Sequence, residues 1–321
     1  MMKRTAALLL AGLALPFMVR PDGAKAAEGG LGFYLLGSKT SMAGFVPPPG
    51  TYLADFNYYY AGSTDIDFNI GGVDITGGVD ADAYIKLLNA LWVAPDKVLG
   101  GHAAFSVAVP IGWKSVSVGA AIVGGPGPGV GFEADDAHIG DPVLGASLGW
   151  HEGNWHWSLG TLLNVPVGYW EQGDVTNIGF NRWAADLTGA VTYLDLKTGL
   201  EVSGAAGFTF NGENEDTDYK TGTEFHLEGA VMQHFSKTFA LGLQGYFYQQ
   251  VTGDSGPGTR FLGDFEGRVI ALGPGIDFSF ALGQTPVSGN LRYFHEFDVE
   301  NRLEGDAGYL NFVIPLSGGG H

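Results

Sequence analysis

Long stretches of this sequence alternate between apolar and polar residues, and this two-residue period restricts the fold more than any other feature. In residues 183–194 every odd position is uncharged, and residues 223–235 repeat the pattern. The even positions of the second stretch include Glu224, His226, Glu228 and His234. Successive side chains of a β-strand point to opposite faces. Each stretch therefore predicts a strand with one apolar and one polar face, as a membrane barrel with a watery lumen requires.

Twelve segments of this kind can be recognised, with lengths that suit tilted membrane strands of about 9–11 residues in the apolar band. They are residues 52–62, 83–94, 101–112, 141–151, 154–168, 183–195, 198–211, 223–235, 238–252, 267–282, 287–299 and 307–316. Short and long connections alternate between them, and the long ones are 63–82, 113–140, 169–182, 212–222, 253–266 and 300–306. The predicted fold class is all-β: a transmembrane antiparallel β-barrel of about 12 strands, with short periplasmic turns and both termini periplasmic.

Composition removes several other classes of protein. The 321 residues include no cysteine, which excludes disulfide frameworks and Cys-ligated zinc. The net charge of -18 repels phosphate backbones, so no nucleic-acid partner is expected. The 7 Trp, 13 Tyr and 21 Phe cluster where the predicted strands meet loops, as in interfacial girdles. A secreted β-sandwich remains as the alternative architecture.

The ends of the chain differ in character from the alternating region. Residues 1–26 combine a basic start with a short apolar run and a small-x-small site, which predicts a signal peptide; an N-terminal membrane anchor is the alternative. Residues 27–49 form an N-terminal segment, residues 50–316 the barrel, and residues 317–321 a tail.

The N-terminal segment does not alternate and ends in three prolines, so it cannot be a ladder strand. Its apolar side chains need burial, and the nearest sheltered volume is the barrel lumen. We therefore expect a plug, against the alternatives of a periplasmic loop or a loose tail. The plug candidates are Phe33, Tyr34, Leu35, Leu36 and Phe45.

Several motifs resemble those of a known family. They are Gly32-Phe33-Tyr34-Leu35-Leu36-Gly37, Ala43-Gly44-Phe45, Pro47-Pro48-Pro49-Gly50-Thr51-Tyr52, Phe56-Asn57-Tyr58-Tyr59-Tyr60, Gly140-Asp141-Pro142 and Asn311-Phe312-Val313-Ile314-Pro315-Leu316. The chain resembles the outer-membrane proteins associated with meta-pathway phenol degradation. The resemblance implies a transporter-like barrel that passes small hydrophobic or aromatic compounds. One departure is the C-terminus, where residues 317–321 follow Leu316 in place of the terminal aromatic that the barrel-assembly machinery reads.

Charged residues on the polar faces are candidates for lining the lumen. They are Lys86, Asp186, Glu224, His226, Glu228, Arg268, Arg292 and Glu296. The i, i+2, i+4 spacing of Glu224, His226 and Glu228 on one strand face could suit a metal or a proton shuttle. A solvated network whose charge is offset by Lys86, Arg268 or Arg292 is the favoured interpretation, so neither a metal nor a cofactor is expected.

Two short sequence stretches resemble catalytic motifs. Residues 145–149 match G-x-S-x-G, but they lie inside an alternating strand and not at a strand-to-helix turn. Residues 151–154 resemble the active-site string of outer-membrane phospholipases, but Gly153 stands in the place of the nucleophilic serine. We therefore expect no enzyme. The predicted function is a passive channel for small hydrophobic or aromatic solutes, embedded in outer-membrane lipid. A structural or adhesive barrel is the alternative, and an enzyme barrel the third.

Overall fold

The computed structural model describes residues 32–70, 73–122, 130–256 and 266–317, so the predicted signal peptide lies outside the described residues, as does nearly all of the tail. Within these ranges the chain forms strands and no helix. In chain order the strands are β1 Gly50–Ile70, β2 Val73–Val98, β3 Gly101–Ile122, β4 Val130–Ile139, β5 Val143–Glu152, β6 Trp155–Asn164, β7 Ala184–Asp195, β8 Leu200–Asn211, β9 Glu213–Asn214, β10 Tyr219–Lys220, β11 Glu224–Ser236, β12 Phe239–Gln250, β13 Arg268–Leu282, β14 Thr285–Glu300 and β15 Glu304–Ser317.

The sheet closes on itself because the first strand pairs with the last. In the β1–β15 ladder Tyr58 lies opposite Tyr309, and every neighbouring pair is antiparallel. β9 and β10 form a separate two-stranded ladder in a loop. β4 and β5 both pair with β3 and share one position in the wall, which leaves twelve positions. The predicted all-β antiparallel barrel of twelve strands is confirmed.

The fourth strand position is interrupted where the sequence reads Gly140-Asp141-Pro142. β5 pairs with His102–Ala108 of β3, whereas β4 pairs with residues 111–120 of the same strand. Pro142 has no backbone N–H to donate to a ladder. The prediction that residues 113–140 form a loop was therefore wrong for residues 113–122 and 130–139, because β3 extends far enough to pair with two consecutive strands.

The prediction that residues 63–82 form a loop was also wrong. β1 and β2 continue as one hairpin until Ile70 lies opposite Val73, so this connection is mostly ladder. The backbone hydrogen bonds of a hairpin do not require one apolar face once the strands leave the membrane. Periodicity marks the lipid-embedded part of a strand and gives no signal for its extension into water.

The faces of the strands separate the lipid side from the lumen. In β7 and β11 the even residues are mostly buried, whereas Leu187, Val191, Leu227 and Val231 on the odd faces are exposed. Exposed aromatic side chains mark both ends of this apolar surface. They are Trp92, Phe105, Trp155 and Trp157 at the end with the short turns, and Tyr59, Tyr84, Trp113 and Tyr293 at the other. The described residues contain no helix that is long and apolar enough to cross a membrane.

Candidate functional site

Residues 32–46, here called the inner segment, precede β1 and contact the inward-facing side chains of the barrel. They form turns and no strand, and Phe33, Tyr34, Ala43 and Val46 are buried. Since these side chains are apolar, their burial against the wall stabilises the docked position. The lumen is therefore partly filled by the chain itself.

An acid and a base of the barrel wall hold the first half of the inner segment. The Glu228 carboxylate accepts hydrogen bonds from the backbone N–H groups of Gly37 at 3.2 Å and Lys39 at 2.7 Å. Arg292 Nη1 donates to the carbonyls of Gly37 at 2.9 Å and Ser38 at 2.7 Å. Hydrogen bonds with one charged partner contribute about 1.5–3 kcal/mol each. These two residues therefore fix the turn through hydrogen bonds to its backbone groups, independently of its side chains.

The second half of the inner segment is held in the same manner by other strands. Glu201 of β8 accepts from the N–H of Met42 at 2.7 Å, and Thr192 Oγ1 of β7 accepts from the N–H of Gly44 at 3.0 Å. Two side-chain contacts lie in the same stretch, between Thr40 and Gln244 of β12 and between Ser41 and Asp277 of β13. We call β7, β8 and β11–β14, which supply these contacts, the anchored wall.

Two glycines let the inner segment lie this close to the wall. Gly37 has a φ of 84°, and a Cβ there would lie 2.7 Å from the ring of Phe294. A Cβ on Gly44 would lie 2.4 Å from the carbonyl oxygen of His156 and 2.8 Å from the backbone nitrogen of Thr192. Backbone atoms cannot rotate away as a side chain can, so the docked position requires glycine at residue 44.

His226 lies under an aromatic ring of the inner segment. The rings of Tyr34 and His226 stack with centroids 3.7 Å apart. His226 Nε2 is 2.9 Å from Asp186, whose carboxylate also accepts from Thr188 at 2.5 Å and Thr209 at 2.8 Å. This group is buried and covered. The inner segment therefore covers the face of β11 whose spacing could suit a metal or a proton shuttle.

Arg302, in the turn between β14 and β15, points back into the barrel. Its guanidinium carbon lies 4.3 Å above the ring of Tyr248. Burial alone would lower the pKa of Arg302, but Tyr248, Glu296 and Glu224 outweigh burial and raise this pKa above its ordinary value. Glu296 also accepts from two tyrosine hydroxyls, Tyr60 at 2.9 Å and Tyr246 at 2.8 Å. Arg302, which the sequence analysis missed, therefore offsets the inward carboxylates together with Arg292.

Two of the predicted lumen residues lie elsewhere. Lys86 shares a face of β2 with the exposed Tyr84 and Leu88, and its Nζ pairs with Asp55 at 2.6 Å on the outer wall. Arg268 pairs with two outer acids at the end of β13, Asp298 at 3.1 Å and Glu300 at 2.8 Å. The sequence prediction chose both residues for charge balance, whereas strand parity places them outside. The expectation that they line the lumen was wrong.

The other six predicted lumen residues lie on inward faces. Asp186, Glu224, His226, Glu228, Arg292 and Glu296 are only 1% to 6% exposed. Glu228, His226 and Arg292 contact the inner segment directly, so the docked segment covers them. That they line a passage stays a prediction, which requires the inner segment to move.

The sequence analysis also missed several residues of the anchored wall that hold the inner segment. They are Thr192, Glu201, Gln244 and Asp277. Alternation within residues 198–211 and 238–252 was sufficient to place Glu201 and Gln244 on inward faces. No local pattern identifies their partners, the N–H of Met42 for Glu201 and the hydroxyl of Thr40 for Gln244, because these lie more than one hundred residues away in the chain.

The opposite side of the lumen, formed by β3, β5 and β6 and here called the open wall, is hollow. Its inward positions are small, and they include Ala108, Gly145, Ser147 and Gly160. A cavity of about 310 Å³, the wall cavity, lies between these residues and the inner segment. Its lining is mostly apolar, which suits a small apolar solute.

A second cavity of about 200 Å³, the loop-side cavity, lies under residues 170–182. Both cavities are lined by Phe33 and Leu35 of the inner segment and by Leu87 and Val143 of the wall. These four apolar side chains therefore separate the two cavities. The inner segment contributes half of the constriction.

The loop 165–183 is tied to the interrupted fourth strand by one buried carboxylate. Asp141 accepts from the backbone N–H of Gly168 at 2.8 Å and of Phe180 at 2.7 Å, and from Asn164 Nδ2 at 2.9 Å. Within the loop, burial raises the pKa of Asp174, but hydrogen bonds from Thr176 outweigh burial and keep this pKa below its usual range. The loop thus forms a fixed roof over the loop-side cavity.

Comparison with known proteins agrees with this architecture. A family model described as "Putative MetA-pathway of phenol degradation" matches residues 64–312. The crystal structure of an outer membrane channel from Pseudomonas putida F1 is similar, with a TM-score of 0.65 and 16% identity over 88% of this chain and 99% of that chain. The CymD monoaromatic hydrocarbon channel aligns with a TM-score of 0.42 and 9% identity over 93% of this chain and 99% of that chain. No curated relative matches the sequence.

Proposed function

Since this chain belongs to the family of the MetA-pathway of phenol degradation, we propose that it is a passive outer-membrane channel for small hydrophobic or aromatic solutes. The observation that carries the proposal is the pair of apolar cavities separated by Phe33, Leu35, Leu87 and Val143. A solute moves down its gradient by binding in one cavity and then in the other. No covalent step is needed.

The inner segment acts as the gate in this proposal. Phe33 and Leu35 lie in the constriction, while the rest of the segment is held on the anchored wall by backbone hydrogen bonds. Displacing the segment joins the two cavities and uncovers the inward carboxylates. Cation preference of the opened lumen follows from Glu224, Glu228 and Glu296, because carboxylates lower the barrier for cations.

The two strings that resemble catalytic motifs, residues 145–149 and 151–154, give no support to an enzyme function. Ser147 of the G-x-S-x-G string lies within β5 and faces the wall cavity, and no strand-to-helix elbow is formed there. His151 and Gly153 fall at the β5–β6 turn. Both strings therefore belong to strand and turn geometry.

The barrel sits in the outer membrane with the short turns and both termini on the periplasmic side in this proposal. Its apolar outer face contacts lipid, and the barrel-assembly machinery inserts it. Protease added to intact cells is expected to cut within residues 165–183 and to spare the turn at Leu196-Lys197. The opposite accessibility would reverse the orientation.

Solute flux tests the channel function directly. Cells lacking their own porins and producing this chain should take up radiolabelled phenol or toluene faster than cells with an empty vector. Replacing Ala108, which lines the wall cavity, in the variant Ala108→Phe should reduce uptake several-fold by filling that cavity. The matched control Ala206→Phe places the same ring on the exposed face of β8 and should leave uptake unchanged. Equal uptake with and without the protein would refute the proposal.

A further inference from the structure

Two histidines face each other at the periplasmic mouth of the open wall. His151 of β5 and His156 of β6 are directly opposite across the hairpin, on the inward faces of their strands. Their Nδ1 atoms are 2.6 Å apart, and the pair remains accessible to solvent. Two imidazole nitrogens at this distance share one proton, since two N–H groups would repel each other.

The end of the inner segment fixes which nitrogen carries that proton. His151 Nε2 lies 3.1 Å from the carbonyl oxygen of Val46. A carbonyl can only accept, so Nε2 of His151 bears hydrogen and its Nδ1 carries a lone pair. The shared proton therefore belongs to Nδ1 of His156. Both Nδ1 atoms point at one position between the rings.

This arrangement matches what a metal needs from two imidazoles. Zinc–nitrogen bonds of about 2.0–2.1 Å place two adjacent ligand nitrogens roughly 3 Å apart, so the rings need to separate by less than about 1 Å. His156 moves its proton from Nδ1 to Nε2, and the proton count of the pair stays constant. A ligating histidine commonly donates its second N–H to a backbone carbonyl, as His151 already does to Val46.

We propose that His151 and His156 form a two-nitrogen site for a borderline transition-metal dication, Cu²⁺ or Zn²⁺, with periplasmic water completing the coordination. Imidazole nitrogen suits these ions. With two protein ligands, the site exchanges its metal with the solution. The described part of the chain contains no group of three or more such ligands. It lies apart from the buried His226 group and does not depend on which solute passes.

The position of the site couples metal binding to the inner segment. The ring of Phe45 contacts both imidazoles, with centroids 5.1 Å from His151 and 5.3 Å from His156. A bound metal makes the remaining N–H of His151 a stronger donor to Val46. Metal therefore holds the end of the inner segment on the open wall.

Metal titration of the purified, folded protein tests the proposal. Cu²⁺ followed by electron paramagnetic resonance should give one site with two-nitrogen hyperfine structure, and Zn²⁺ should bind at the same site by calorimetry. His151→Gln and His156→Gln should each weaken this binding at least about tenfold. The matched control His295→Gln removes an outward imidazole that pairs with Asp306 and should bind as the wild type. Wild-type affinity in both pair variants would overturn the site.

A measurement on the wild type alone covers the case in which these variants fail to fold. Diethyl pyrocarbonate should modify His151 and His156, and Zn²⁺ should protect both from modification, as read by mass spectrometry. His295 should be modified equally with and without Zn²⁺. Absence of protection at the pair would overturn the proposal.

Discussion

The open wall and the anchored wall line the same lumen with the same strand geometry, yet one is hollow and the other is filled. Inward positions of the open wall carry small side chains such as Ala108 and Gly160, which leave the wall cavity. Inward positions of the anchored wall carry long polar groups such as Glu228 and Arg292, which bind the inner segment. Side-chain size and charge on one face, and not the barrel geometry, decide where the solute space lies.

The largest effect is expected from preventing the inner segment from docking. In Gly44→Leu the new side chain collides with the backbone of His156 and Thr192, so the segment cannot reach the anchored wall. Single-channel conductance should rise several-fold, to the level of a variant lacking residues 32–46, while heat-modified gel mobility still reports a folded barrel.

The matched control for this change is Gly189→Leu, because Gly189 faces outward and a Cβ there meets nothing within 4 Å. Its conductance should equal that of the wild type. If Gly44→Leu folds and conducts like Gly189→Leu, the anchored wall does not hold a gate.

A smaller effect is expected from weakening the anchored wall at one point. Arg292→Met removes the hydrogen bonds to the carbonyls of Gly37 and Ser38, which are worth about 1.5–3 kcal/mol each. Amide hydrogen exchange at residues 37–40 should accelerate at least about tenfold. Ser41→Ala, which loses one 3.2 Å contact to Asp277, should change exchange far less. Equal exchange in the two variants would contradict the role of Arg292.

Beside the open wall, between β4 and β5, Asp141→Asn tests the roof of the loop-side cavity. The amide keeps one acceptor oxygen, so at least one of the N–H groups of Gly168 and Phe180 loses its partner, at a cost of about 1–3 kcal/mol. Limited proteolysis within residues 165–183 should become faster. Asp174→Asn keeps an acceptor oxygen for Thr176 in the same turn and weakens only the 3.8 Å contact with His138, so it should have less effect. Unchanged proteolysis of Asp141→Asn would mean that the loop is held by other contacts.

The smallest effect is expected from the inward carboxylates while the inner segment is docked. Glu224→Gln combined with Glu296→Gln should change the cation-to-anion permeability ratio by less than about twofold, because both carboxylates are buried, Glu224 beside Gly32 of the segment and Glu296 against Tyr60 and Tyr246. The same pair of changes in a variant lacking residues 32–46 should reduce cation preference clearly. Reversal potentials in a salt gradient measure both cases, and a large change with the segment present would place these groups in an open path.

Much of the fold could be predicted from the sequence, because a barrel strand faces lipid on one side and the lumen on the other. Its sequence must therefore alternate between apolar and polar residues. All twelve predicted segments overlap strands that occupy the barrel wall. Parity within residues 223–235 also assigned Glu224, His226 and Glu228 to the inward face. The same rule, applied strictly, excludes Lys86 from the lumen, since its face of β2 also carries Tyr84 and Leu88.

The sequence by itself determined the barrel, its strand parity and the exclusion of residues 32–49 from the ladder, because these depend on local periodicity and on proline. Only the tertiary structure decided which wall holds the inner segment, that Arg302 and not Lys86 balances the inward acids, and that β4 continues the fourth strand position. Contacts such as Gly37 with Glu228 join backbone groups to side chains 191 residues away. No local pattern records such pairs, because a backbone N–H is the same at almost every residue and only closure of the barrel selects the one that is bound.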